Sequence, residues 1–132
     1  MPKIRITGIF RNTTRINNGC IKRLLETTRK AARKVGIEII IPTGTAIQNG
    51  RSSFIGDHFC RDGCHLTEDL VCYTAACTWF EALSGKWVVG NPFAPAAITP
   101  LEAITVQRAA HQAVSNPLKA TPVRLGSNIR PE

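Results

Sequence analysis

Apolar residues recur at helical spacing in three segments of this chain. The first segment predicts an amphipathic helix over 18–35. Its apolar stripe consists of Ile21, Leu24, Leu25, Thr28, Ala31, Ala32 and Val35. Most of the Lys and Arg residues of this segment lie outside the stripe. Gly36 follows directly, which favours a helix C-cap there, because glycine adopts the left-handed conformation without strain.

The same periodicity predicts two further helices. One spans 67–83, with Thr67 as a plausible N-cap. Its apolar face consists of Leu70, Tyr73, Ala76, Cys77 and Phe80. The other spans 100–115 and begins with a proline at its first helical position. Thr99 and Glu102 form the Thr-x-x-Glu pattern of a capping box at its N-terminus.

Strands, turns and loops are predicted from the other segments. Residues 3–10 alternate polar and apolar side chains, a weak strand signal, and the polar residues 11–19 are predicted to form a loop. The nearly continuous β-branched run at 37–41 is typical of a strand buried on both faces of a parallel sheet. Residues 42–45 are predicted to form a turn and residues 46–66 a long functional loop. A helix, a glycine turn and a buried strand make half of an α/β unit, so an α/β fold is expected.

The length of the chain favours a single domain, since 132 residues is a common domain size. No apolar run approaches the ~20 residues that span a bilayer, so no membrane association is expected. The N-terminal sequence MPKIRITGIF has neither an apolar core nor a small-residue cleavage site. As written, the chain is therefore expected to remain in the cytoplasm.

Positive charge is concentrated at one end of the chain. Residues 1–36 contain ten Lys or Arg and a single acid, Glu26, whereas the remaining residues contain seven Lys or Arg and eight acids. Such a basic cluster is the footprint of nucleic-acid binding, but no nucleic-acid-binding motif accompanies it. A solvated helix face is the favoured interpretation, and a nucleic-acid partner is a distant alternative.

Five cysteines are present, an odd number whose spacing matches no disulfide scaffold. In a cytosolic chain they should be reduced. His58, Cys60, Cys64 and His65 invite a zinc hypothesis. However, Cys-x3-Cys lacks the usual two-residue knuckle, and no second ligand pair follows at a suitable distance. No metal or other cofactor is predicted.

The strongest chemical signal is the segment Arg61-Asp62-Gly63-Cys64-His65-Leu66. A spacing of three on a turn that leads into a helix lets both side chains point to the same side. Asp62 can then accept a hydrogen bond from one imidazole nitrogen of His65, while the other nitrogen faces a substrate. A serine hydrolase needs such a pair: a histidine to take the proton of the nucleophile and an acid to orient that histidine. The alternative is a loop aspartate that caps its own turn.

A nucleophile to complete this pair is not evident. Ser52 and Ser53 lie nearest in sequence, but neither stands on a strand-to-helix elbow flanked by glycines. Both are interpreted as loop residues that hydrogen-bond nearby backbone. His111, on the third helix, is predicted to be an exposed surface residue.

The segment IIPTGTAIQNGRSSFIGDHFCRDGCHLTEDLVCYTAACTWFEALSG resembles the C-terminal half of SGNH (GDSL-like) hydrolases. The similarity is to a bacterial subgroup described as a domain of unknown function, and it runs over 18–117. It implies a flavodoxin-like three-layer α/β/α sandwich around a parallel sheet. It also implies that His65 is the general base and Asp62 the residue that orients it. The reaction implied is ester hydrolysis through an acyl-enzyme, commonly on an acylated carbohydrate or lipid.

The chain also departs from that family. The Gly-Asp-Ser block that supplies the nucleophile, and the blocks that supply the oxyanion hole, are not found in it. Residues 1–17 match nothing in the family, and residues 118–132 are expected to be a poorly ordered tail. The resemblance therefore implies a partial sandwich that lacks its N-terminal strands and is inactive alone. The alternative is a non-catalytic remnant or a subunit completed by another chain. A complete parent could also be secreted.

Without neighbouring strands, the predicted strand at 37–41 would leave an open sheet edge. Exposed edges pair readily with other chains. Self-association through this edge, together with marginal stability, is therefore expected.

Overall fold

The computed structural model of the chain describes residues 13–62 and 65–124, with side chains from residue 21 onward. The described part contains four α-helices and one short 3₁₀ helix, η1. Their bounds are α1, Thr13–Lys34; α2, Thr43–Arg51; η1, Gly56–Phe59; α3, Glu68–Ser84; and α4, Pro100–Ser115.

The predicted α/β fold, a partial three-layer sandwich, is wrong. Within the described residues the structure is helical and has no sheet, and its one strand-like feature is an isolated antiparallel bridge between Cys60 and Leu66. The predicted strand at 37–41 is irregular. The side chains of Ile37 and Ile39 are 54% and 71% exposed. β-Branched residues form strands only where neighbouring strands and a buried face accept them, and the described residues supply neither to this segment.

Helix α1 confirms the first predicted helix but begins earlier, at Thr13, within the predicted loop 11–19. Gly36 adopts the left-handed conformation, with φ +72°, directly after the helix. Of the described α1 side chains, Ala32 is the one that is buried. The predicted strand at 3–10 lies outside the described residues.

Helix α2 stands where a turn and the start of a loop were predicted. It is held by buried polar side chains. Asn49 donates from Nδ2 to the carbonyl of Ala109 at 3.1 Å, and its Oδ1 accepts from the backbone N–H of Thr121 at 2.6 Å. Thr45 donates to the carbonyl of Pro117 at 2.8 Å. These partners lie far along the chain, which explains why no local apolar period reveals the helix.

The core lies between α2, α3, α4 and the η1 turn. It consists mainly of Ile55, Phe59, Leu70, Tyr73, Cys77, Val88, Ile98, Ala103, Val106 and Ala110. Phe59 is fully buried, and its ring packs against the backbone of Gly50. This packing joins the η1 turn to α2.

The predicted helices α3 and α4 are confirmed, with caps as expected for α4. The Thr99 hydroxyl accepts from the Glu102 N–H at 3.3 Å, and a Glu102 carboxylate oxygen accepts from the Thr99 N–H at 2.9 Å. At the C-terminus of α3, Gly85 takes a left-handed conformation, with φ +66°. The chain after α4 returns to the core, where Val123 is 7% exposed.

Gly50→Ala should destabilise the protein by about 1–3 kcal/mol, because overpacking a filled core forces side chains or backbone to move. The added Cβ would lie 2.5 Å from Cζ of Phe59. Gly44→Ala, in the same helix, is the matched control, since its Cβ would meet nothing within 4 Å. Urea denaturation followed by circular dichroism measures both. Equal stabilities of the two variants would contradict the packing described for Phe59.

The Glu102 carboxylate of the capping box should contribute more stability at neutral pH than in acid. The hydrogen bond from the Thr99 backbone, reinforced by its hydroxyl, lowers the pKa of Glu102 below its ordinary value. A carboxyl whose folded-state pKa is lowered stabilises the fold above its unfolded pKa, and the stabilisation is lost as pH falls through the folded value. Glu102→Gln should therefore be less stable than the wild type at pH 7, with a gap that narrows in acid. A difference in unfolding free energy of equal size at pH 7 and in acid, measured by urea denaturation, would contradict this prediction.

Candidate active site

Residues 60–66 form a loop whose base is fixed by backbone hydrogen bonds. The Arg61 N–H donates to the carbonyl of His65 at 2.7 Å, and the Thr67 N–H donates to the carbonyl of Phe59 at 2.9 Å. Since the Phe59 side chain is fully buried, the loop begins and ends at an anchored point of the core. Residues 63–64, between Asp62 and His65 in sequence, lie outside the described residues.

Asp62 and His65 are joined by two short hydrogen bonds. Oδ1 of Asp62 accepts from the backbone N–H of His65 at 2.7 Å, and Oδ2 lies 2.7 Å from Nδ1 of the imidazole. The first bond is the local side-chain-to-backbone contact that aspartate commonly makes in turns. It orients the carboxylate so that the second oxygen faces the ring. The structure thus brings the two predicted site residues together.

This geometry determines what the imidazole of His65 can do. An ionised carboxylate only accepts hydrogen bonds, so a neutral imidazole must carry its proton on Nδ1. Nε2 is then left as an acceptor, the tautomer that a general base requires. The side chains of His65 and Asp62 are 65% and 52% exposed, so the ring is open to a substrate from solvent.

Ser52 and Ser53 act as backbone hydrogen-bonders, as predicted. Ser52 Oγ donates to the carbonyl of Asn49 and Ser53 Oγ donates to the carbonyl of Gly50, each at 2.6 Å. Ser53 Oγ also accepts from the N–H of Ile55 at 3.2 Å. Both hydroxyls close the C-terminal turn of α2 and are committed to that role.

The buried thiol of Cys77 is poorly suited to be a nucleophile. Burial raises its pKa to about 11, and the thiol rather than the thiolate therefore dominates at neutral pH. Burial also raises the pKa of the neighbouring Tyr73. The Tyr73 hydroxyl donates to the carbonyl of Phe93 at 2.6 Å and accepts from Gln107 Nε2 at 2.9 Å. Both groups are parts of the core.

The zinc hypothesis receives no support from the residues that the structure describes. Across 13–62 and 65–124, no group of three or more His, Cys, Asp or Glu side chains could hold a metal ion. Cys64, a member of the proposed cluster, falls in the gap. Cys60, Cys72 and Cys77 are free thiols.

A second carboxylate–histidine pair was missed by the sequence analysis. His111 was predicted to be exposed, but Nδ1 of His111 lies 2.6 Å from Oε1 of Glu81, and the two side chains are only 15% and 8% exposed. Oε2 of Glu81 also accepts from the Val88 N–H at 3.0 Å, and the indole of Trp87 lies over the imidazole with centroids 3.9 Å apart. The pair is thirty residues apart in sequence, and no local spacing could have revealed it.

The basic residues of α1 whose side chains the structure describes are exposed, in agreement with a solvated helix face. They are Lys22, Arg23, Arg29, Lys30, Arg33 and Lys34. In the part of the chain that the structure describes, every helix is too short or too polar to cross a bilayer.

Comparison with known proteins identifies the family. The sequence model of a protein family described as a domain of unknown function, DUF4886, matches residues 7–113. The chain belongs to the DUF4886 family. This DUF4886 chain is also similar to the crystal structure of a DUF4886 family protein from Bacteroides uniformis, with 51% sequence identity and a TM-score of 0.72. The similarity covers 76% of this chain and 39% of the Bacteroides uniformis chain. A comparison with curated proteins gives no match.

The family assignment confirms the coarser part of the predicted resemblance, a bacterial domain of unknown function. The DUF4886 match includes α1 to α3, α4 as far as residue 113, and both carboxylate–histidine pairs. This DUF4886 chain spans 39% of the length of its Bacteroides uniformis relative. The finer part of the resemblance is to SGNH hydrolases, and the description of the DUF4886 family states no activity.

The Asp62–His65 geometry makes a spectroscopic prediction. Neutral His65 should carry its proton on Nδ1, and Asp62→Asn should move the population towards the Nε2-protonated form. Because an exposed pair of this kind is worth up to ~1 kcal/mol, the tautomer ratio should change by roughly fivefold. Long-range ¹H–¹⁵N correlation spectra at alkaline pH report the ratio, with His58 as internal control. An unchanged His65 ratio in Asp62→Asn would show that the carboxylate does not set the tautomer.

Proposed function

We propose that Asp62 and His65 are the acid and the base of an SGNH-type ester hydrolase. In this proposal the serine nucleophile and the oxyanion-hole donors come from polypeptide other than the residues described here. The observation that carries the proposal is the paired contact of Asp62 with His65. One carboxylate oxygen is fixed by the His65 backbone N–H and the other lies 2.7 Å from Nδ1.

The reaction follows from the free nitrogen of His65. Nε2 takes the proton from a serine hydroxyl as the serine oxygen attacks the ester carbonyl. The tetrahedral intermediate collapses, the alcohol leaves with that proton, and an acyl-enzyme remains. Water, deprotonated by the same nitrogen, then attacks the acyl-enzyme, and the acid is released as the serine oxygen leaves and takes that proton back from Nε2. Asp62 stabilises the imidazolium that forms in each half of the reaction.

The substrate class that we propose is an ester of a bulky alcohol, such as an acylated carbohydrate. An exposed loop carries the pair, and the His65 side chain is 65% exposed. This exposure leaves Nε2 accessible to the serine and the ester that the proposal places beside it, and the acylated-carbohydrate class itself rests on the SGNH resemblance. No cofactor is required, because the nucleophile, the base and the acid are all protein side chains.

A second candidate is a non-catalytic remnant, or a subunit that another chain completes. The observation that favours it is the hydroxyl bonding of the two serines nearest in sequence to the pair. Ser52 and Ser53 both donate to backbone carbonyls of α2. A pair without a nucleophile binds but does not turn over substrate.

Hydrolysis of p-nitrophenyl acetate by the longer Bacteroides uniformis protein tests the proposal. Alanine at the position aligned with His65 should lower kcat by about 10⁴-fold, because removing one member of a triad disables the whole unit. Alanine at the position aligned with His58, an exposed residue of the η1 turn, is the control and should leave kcat unchanged. An active protein in which the His65-aligned variant keeps its rate would overturn the catalytic assignment.

The same assay on this chain locates the nucleophile. Wild-type chain and His65→Ala should hydrolyse the ester at the same background rate. Turnover that is lost in His65→Ala would instead mean that a serine within these 132 residues acts as nucleophile, and the proposed external source would be wrong.

A further inference from the structure

An open groove runs along α1, between this helix and the segments 38–42 and 117–120. Its centre is a cavity of about 340 Å³ whose lining includes Leu24, Leu25, Ile40, Ile41 and Leu118. A second cavity of about 360 Å³ shares Leu118 with it, and a third of about 450 Å³ shares Ile40. The three cavities therefore form one continuous depression, here called the α1 groove.

The α1 groove is lined and flanked by apolar side chains that the described residues leave open to solvent. Their exposed fractions are 63% for Leu24, 54% for Ile37, 71% for Ile39, 41% for Ile40 and 48% for Leu118. Single exposed apolar residues are common, but a contiguous apolar patch marks an interaction site. Covering it would be favourable in proportion to the apolar surface removed from water.

The charged side chains along the groove further define the surface that would cover it. Lys22 lines one end of it, and Arg29 and Arg33 line the other. Glu38 lines the groove together with Arg29 and Arg33, so the groove carries both signs of charge, with cations in excess. A surface that covers it must therefore be apolar at its centre and must place acidic groups near the excess cations, because buried unpaired charges are costly.

The length of the relative indicates where such a surface comes from. At 51% identity, the Bacteroides uniformis protein shares this part of the structure, yet this chain spans only 39% of it. A contact between the additional polypeptide of that relative and the shared part would cover surface that is exposed in this chain. The core between α2, α3 and α4 is already filled by side chains of this chain. Phe80, Leu83 and Phe93 also expose apolar surface, but the cavity that Phe80 and Phe93 line is about 140 Å³, against about 340 Å³ at the centre of the α1 groove.

We propose that the α1 groove binds the part of the DUF4886 polypeptide that this chain does not span. The partner segment presents an apolar surface to Leu24 and Ile40 and acidic side chains to Arg29 and Arg33. The interaction is the same whether that polypeptide is joined to this chain or separate from it. The proposal rests on exposed surface and charge, so it is independent of the hydrolase chemistry, and its test is binding rather than activity.

Co-purification tests the proposal directly. This whole chain is co-expressed with a tagged polypeptide that comprises the region of the Bacteroides uniformis protein outside the match. Wild-type chain should be recovered with the tag, and Leu24→Gln should reduce recovery by about tenfold or more, as expected for loss of an interface anchor. Leu83→Gln is the matched control, since Leu83 and Leu24 are 62% and 63% exposed on helices. Loss with Leu83→Gln instead of Leu24→Gln would overturn the proposal.

A second measurement applies even if the tagged region does not fold by itself. Glutamine at the position aligned with Leu24 should lower the Tm of the whole Bacteroides uniformis protein by several degrees, since buried apolar contacts are lost. In this chain Leu24→Gln should leave Tm nearly unchanged, because the side chain is exposed. Equal Tm shifts in the two proteins would count against a covering segment. A dimer of this chain that Leu24→Gln dissociates in analytical ultracentrifugation would show that a second copy occupies the groove instead.

Discussion

The position of the candidate site depends on the packing of Phe59 against Gly50. The ring is fully buried, and an added Cβ at Gly50 would approach it to 2.5 Å, so the two groups fit without spare room. The loop with Asp62 leaves the core directly after Phe59, and the Thr67 N–H returns to the Phe59 carbonyl. Both ends of the loop are thus held at one residue, Phe59, whose side chain is buried in the core and whose carbonyl accepts from Thr67.

The two carboxylate–histidine pairs differ in how deeply they are buried. Asp62 and His65 are close in sequence and more than half exposed, so their contact is made locally and the ring remains available. Glu81 and His111 belong to different helices and are nearly buried. Their bond links α3 to α4, and the second carboxylate oxygen holds the Val88 N–H. The same two functional groups therefore form a solvent-accessible pair in the loop and a helix-to-helix contact in the core.

The apolar side chains of the core are buried, whereas Leu24 on α1 is exposed. Between α2, α3 and α4 the core is closed, and even its polar groups, such as Asn49 and Gln107, are hydrogen-bonded across helices. Along α1 the apolar stripe faces an open groove, where Leu24 is 63% exposed. An amphipathic helix is stabilised mainly by burying its apolar stripe. The contrast agrees with a chain that spans 39% of a longer relative.

The sequence by itself determined α3, α4, the capping box and the Asp62–His65 contact, because periodicity, caps and a spacing of three act within one or two helical turns. It did not determine the conformation of 37–41, since a β-branched run becomes a strand only beside other strands. Helix α2 and the Glu81–His111 pair were decided by the tertiary structure alone. Their stabilising partners lie thirty to seventy-two residues away, and burial at that separation follows from packing, not from local pattern.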